Sequence, residues 1–149
     1  MKRSEAALLL AKISAYDRRT VGDADIEAWA EVLPEDMPLA DALDAVRDHF
    51  RSSTEFLMPL HLIDAVRSIR QGRLRAAGTP PIPGGLDWKQ EKAWRQLWCN
   101  AVKDGESAED ATVIADQAMH ITPMEEIADH AARVKLIQQL ADSKKVPEK

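Results

Sequence analysis

Four arginines, Arg67, Arg70, Arg73 and Arg75, fall in a stretch from Val66 to Arg75 that contains no acid. On a helix, Arg67 and Arg70 are three apart and project to the same side. Several guanidinium forks on one face of a rigid helix can hold phosphate oxygens or carboxylates bidentately. The same residues also suit the last turns of a helix, where free carbonyls favour cations. Arg18 and Arg19, in an earlier connection, would extend the patch if that connection folded beside it.

Trp94 and Trp98 are four apart and share a helix face. They read either as a small aromatic core or as an exposed docking stripe, since Trp is enriched at interface hot spots. Both stay candidate partner-binding residues, with Arg18, Arg19, Arg67, Arg70, Arg73 and Arg75. His49 beside Phe50, and His61 beside an apolar run, read best as histidines closing a seam between two helices. His120 with Asp129 or His130 could approach a metal; ordinary histidines are the better reading. Glu35-Asp36 and Glu125-Glu126 are adjacent in sequence. Their side chains diverge on a helix, so they read as solvated or helix-start acids rather than an acid/base pair.

No glycine precedes Lys-Ser or Lys-Thr, and GxGxxG, GxSxG and HExxH are missing. These patterns would have marked phosphate cradling, acyl transfer or zinc hydrolysis. Cys99 is the single cysteine, which excludes an intrachain disulfide and Cys-rich zinc sites within one chain. The expectation is a protein that acts by binding, without enzyme activity or cofactor.

The elements that would position these residues read as helices throughout. Leu9, Leu10 and Ile13 share a face in a first helix from Ser4 to about Ala15. Thr20 or Asp23 can cap a second, in which Ile26, Trp29, Ala30 and Leu33 share a face. A third opens near Pro38, with Leu39, Ala42, Leu43, Val46 and Phe50 at helical spacing. Pro59 suits the first turn of a fourth, whose apolar face is Leu62, Ile63, Val66 and Ile69. Residues 76–86 hold three prolines and three glycines and read as a linker. Beyond it, Asp87 with Gln90 and Ser107 with Asp110 open two helices, and Thr122-Pro123-Met124-Glu125 opens another. The fold expected is all-α. It comprises a four-helix N-terminal domain (1–75), the linker, a C-terminal module of about three helices (87–143) and a polar tail (144–149).

The net charge is −5 over 149 residues, so bulk charge gives no sign of a nucleic-acid binder. The average conceals segregation: nine acids and one arginine, Arg47, lie between Asp23 and Asp48. There is no signal-peptide pattern and no apolar run near the ~18 residues of a membrane span. A cytoplasmic setting is the simplest expectation.

At Tyr16-Asp17-Arg18-Arg19, Ile26-Glu27-Ala28-Trp29 and Met58 to Arg70, the chain resembles the N-terminal domain of phage replicative-helicase loader/inhibitor proteins. The resemblance spans roughly residues 4–75 and is strongest from Pro59 to Arg70. It implies a small all-helical domain without ATPase activity. It further implies a hexameric replicative helicase as partner, held inactive and delivered to an origin with an origin-binding protein. In that family the helicase contact is attributed largely to the C-terminal region; here residues 87–143 carry their own capping signals, and no residue-level motif carries over. A DNA-binding replication or regulatory protein using the arginines of residues 59–75 is the competing expectation.

Overall fold

The computed structural model describes residues 1–120, and the helix expected from Thr122 lies outside the described residues. The fold is all-helical, with no strand among the described residues. The helices are α1 (Arg3–Asp17), α2 (Asp23–Val32), α3 (Leu39–Ser52), α4 (Pro59–Ala77), α5 (Trp88–Asp104) and α6 (Ala108–Ala118). They fall into two units. The first is Met1–Thr79 with Val102–Glu106; the second is Pro80–Ala101 and the chain from Ser107 on.

In the first unit, α1 packs on α2 and α3, and α3 packs on α4. Ala6, Leu9, Leu10 and Ile13 recur at 3.6-residue spacing and are buried along one side of α1. They meet Leu33, Met37, Ala42, Ala45, Val46, Leu57, Leu62 and Val66 in one core. Each fully buried Leu or Ile contributes about 1.5–3 kcal/mol by leaving water. Trp29 is only half-buried and packs against this core from outside.

Helix ends follow local chemistry, with two departures from expectation. Neither Thr20 nor Asp23 caps α2. Gly22 does, in an extended conformation, and its N–H donates to Asp25 Oδ2 at 2.8 Å. The acid three residues along reaches back, so the cap position needs no side chain of its own. α4 also runs two residues into the expected linker, through Ala76 and Ala77. Gly78 stops it at φ 77°, ψ −146°, a region open essentially to glycine alone.

Arg18 ends α1 in the left-handed conformation, φ 59°, its N–H bonded to Ser14 O at 2.8 Å. That conformation suits glycine and costs an L-residue about 1–2 kcal/mol. Arg18 is exposed and makes no ion pair among the described residues. Arg18→Gly is therefore expected to stabilise the chain by about 0.5–1 kcal/mol, part of the relief being lost to unfolded-state entropy. The urea midpoint at constant slope would read this out.

In the second unit, Asp87 Oδ1 accepts from the Lys89 and Gln90 N–H groups at 2.8 and 2.9 Å. Gln90 Oε1 returns the bond to Asp87 N–H at 2.9 Å, closing the expected capping box before α5. Ser107 Oγ accepts from Asp110 N–H at 3.0 Å and caps α6.

Candidate functional site

The α4 arginines do not form one free cationic face. At about 100° per residue, Arg67, Arg70 and Arg73 step round one side of the helix, whereas Arg75 lies nearly opposite Arg73. Three of the four already meet carboxylates. Arg67 pairs with Asp64 at 2.7 Å on the exposed surface. Arg70 pairs with Asp104 at 2.7 Å and reaches Asp36 at 3.4 Å. Arg73 donates from Nη2 and Nη1 to the two oxygens of Asp41, at 2.6 and 2.8 Å. It donates also to the Lys103 carbonyl at 2.8 Å. Arg75 is exposed and has no ion pair among the described residues.

The Arg73 bridge is built into the interior. Among the described residues, Asp41 is the one buried charged residue, 3% exposed, at the third position of α3. There the helix dipole favours a negative charge. Hydrogen bonding to Asp41 holds the Arg73 guanidinium more firmly cationic than an ordinary arginine. Arg73 is thus a structural side chain, a correction to its candidacy as a partner contact.

Arg19 is positioned elsewhere. Its Nε donates to Asp17 Oδ2 at 2.8 Å, its Nη2 makes a second bond to the same carboxylate, and Nη2 also donates to Leu57 O at 3.1 Å. The guanidinium lies 3.7 Å from the centre of the Phe56 ring and 5.9 Å from that of Trp29. Leu57 precedes α4, whereas Arg73 lies about four turns, or roughly 20 Å, further along it. Arg18 and Arg19 therefore sit at the opposite end of α4 from Arg73 and Arg75 and do not extend their patch. Arg19 instead lines a groove of about 220 Å³ with Leu10, Val21, Trp29, Phe56 and Met58. Phe56 and Met58 remain about half exposed beside it.

The Arg19 pairing holds the Asp17 carboxyl below the usual carboxylate range, chiefly through the side-chain hydrogen bond. A depressed folded-state pKa adds stability that is present above the unfolded value and is lost as pH falls through the folded one. The contribution should therefore be complete at neutral pH and begin to fall away only below about pH 4. Asp17→Asn should lower the urea midpoint at pH 7 and abolish part of the acid sensitivity below pH ~4. Parallel losses in both proteins on acidification would contradict the pairing.

Trp94 and Trp98 are 0% and 1% exposed, so the docking-stripe expectation gives way to the core reading. Trp94 Nε1 donates to Asp116 Oδ1 at 2.7 Å, and Trp98 Nε1 to Ala108 O and Thr112 Oγ1, each at 3.2 Å. Buried indoles with satisfied N–H groups leave nothing to present to a partner. Trp88 is the exposed tryptophan of this unit, at 69%.

His49 and His61 face one another across α3 and α4, ring centres 6.0 Å apart. His49 Nε2 lies 2.8 Å from Glu55 O, and Met58 N–H donates to His61 Nδ1 at 3.3 Å. Both rings thus close the turn between the helices. No group of three or more His, Cys, Asp or Glu side chains gathers as a metal site among the described residues. Asp129 and His130, weighed as metal partners of His120, lie outside the described residues. Among the described residues no helix is long and apolar enough to cross a membrane.

Sequence reasoning missed Asp41, whose only signal was an acid one turn before buried Ala45, and the Phe56–Met58 segment over Arg19. The chain matches no protein-family model, no curated protein and no solved structure.

Proposed function

We propose that this chain is a non-enzymatic adaptor that binds another protein, and that the partner is a hexameric replicative helicase it restrains and delivers. The likeness of residues 4–75 to phage helicase loader/inhibitor proteins supports the choice of helicase, with an origin-binding protein as a further partner. The observation that favours protein over nucleic acid is the engagement of Arg67, Arg70 and Arg73 by the chain's own carboxylates. A phosphate backbone would have to displace those partners, in a chain of net charge −5. The first unit meanwhile leaves Phe56, Met58 and Leu60 in succession about half or more exposed. Aromatic residues and methionine are enriched where proteins meet proteins.

An adaptor without a nucleotide site can act only by binding the helicase ring better in one state than another. The test is size-exclusion chromatography with light scattering on the full chain mixed with the replicative helicase of the organism that carries the gene. Fluorescence anisotropy on labelled duplex and single-stranded DNA runs in parallel. The adaptor reading expects a stable complex, a changed helicase ATPase rate, and no DNA binding by either the wild-type chain or an Arg67→Glu/Arg75→Glu variant. DNA binding that the same double variant weakens, with a shallower salt dependence, and no helicase complex would replace it with the DNA-binding reading.

A further inference from the structure

The connection after α2 and the middle of α4 enclose an open cavity of about 200 Å³ in the first unit. Its apolar lining includes Met37, Ile63 and Val66, which also belong to the core or pack on it. Around these stand Arg67, Arg70 and Lys103, with Asp36 the one acid among the lining residues. Small-molecule pockets run to about 300–1,000 Å³, so this cavity suits one anchoring side chain rather than a cofactor.

The charges of the lining are unevenly met. Three cations stand with one carboxylate among the lining residues, and Asp64 and Asp104 from outside the lining pair Arg67 and Arg70, each at 2.7 Å, which leaves Lys103 and one edge of Arg70 the least met. Asp36 reaches Arg70 Nη1 only at 3.4 Å, from a side chain 80% exposed. A good charge-assisted bond is about 2.7–2.9 Å. Arg70 Nε is buried and has no acceptor among the described residues. Buried donors are nearly always satisfied, so each exception calls for an explanation. Lys103 makes no ion pair among the described residues.

We propose that this cavity receives an apolar side chain of a protein partner flanked by acidic residues. One partner carboxylate takes the place of Asp36 at Arg70, and the flanking acid meets Lys103, with Arg67 adding positive charge to the rim. Apolar contact supplies the anchor, and the cationic rim selects acidic flanks over basic ones. The inference rests on the adaptor reading only in taking the partner to be a protein.

The probe is the capped peptide acetyl-Ser-Glu-Phe-Glu-Ser-amide, titrated into the ¹⁵N-labelled full chain. Its controls are the same peptide with lysine for glutamate and a short oligothymidylate. The glutamate peptide is expected to move the amide signals of Met37, Ile63, Val66 and Arg70, with a Kd of about 1 mM or tighter. The lysine peptide should leave them in place. Arg67→Glu should weaken binding by roughly fivefold or more. Gln71→Trp, which fills the mouth from an exposed lining position, should abolish it without touching the core. Equal shifts from the lysine peptide, shifts away from the cavity, no shifts, or shifts from the oligothymidylate alone would each overturn the proposal. A helicase complex without peptide binding removes the cavity proposal and leaves the adaptor reading standing. Peptide binding without a helicase complex does the reverse.

Discussion

Trp94→Ala is expected to unfold the second unit while leaving the first intact. Within the second unit the buried apolar side chains described are Trp94, Trp98, Ala111 and Ala115. Trp94 is the largest of them with no exposed surface. Truncating a buried Trp costs about 3–5 kcal/mol through lost transfer and the cavity left behind. Asp116 loses its indole donor as well. Against a typical domain stability of about 5–15 kcal/mol, that loss is a large share. The near-UV circular dichroism of the indoles should collapse, while methyl signals of Leu9, Ile13 and Leu62 stay native. Those residues belong to a core containing nothing beyond Val66. Trp94→Phe keeps most of the volume and should cost about 1–3 kcal/mol, from the smaller ring and the orphaned carboxylate. Native dichroism in Trp94→Ala would show that the indole is not structural and would reopen the docking-stripe reading.

The contrast between these tryptophans and the helix caps shows what kind of information the sequence carries. The box at Asp87–Gln90, the Ser107 cap on Asp110 N–H, and Pro59 at the first turn of α4 depend on residues within one turn of each other. A local rule reads them directly. A spacing of four puts Trp94 and Trp98 on one face, but spacing alone does not distinguish an inward from an outward face. What decides it is the rest of the unit: both indole N–H groups find acceptors on α6, at Asp116 for Trp94 and at Ala108 and Thr112 for Trp98. The arginines fail for the same reason at longer range. Arg73 and Asp41 are 32 residues apart, and Arg19 and Leu57 are 38 apart. A cluster of cations in sequence is not a cluster of free cations in space: Asp36 and Asp41 fold back onto it, and Asp64 and Asp104 pair Arg67 and Arg70. The cavity beside Arg70 was illegible for a related reason. Its lining comes from three separate stretches of chain, and its unmet donor is a property of packing rather than of residue type.

Arg73→Ala should cost about 3 kcal/mol of folding free energy, although it removes a polar side chain from a helix surface. The loss follows from what stays behind. Asp41 is 4% exposed at its side chain and would keep its charge without its two charge-assisted bonds. Breaking a buried pair by removing one partner costs about 3–5 kcal/mol. The low end applies because Arg73 itself is 31% exposed and water screens that side of the pair. Arg67→Ala, which breaks a pair 67% and 56% exposed, should change stability by no more than about 0.5 kcal/mol. A cycle separates the orphaned charge from lost packing. If the uncompensated carboxylate dominates, Arg73→Ala/Asp41→Ala should be more stable than Arg73→Ala alone. Replacing the pair with Met and Leu should recover most of the remainder, since well-packed apolar substitutes often match a buried ion pair. Urea midpoints at pH 7 on the four proteins of the cycle read all of this. Wild-type stability in Arg73→Ala, accompanied by weakened DNA binding, would instead mean that the guanidinium serves a ligand. With the large stability loss, Arg73 belongs to the scaffold that holds α4 against α3, and the partner-facing charge of α4 narrows to Arg67, Arg75 and the under-used edge of Arg70.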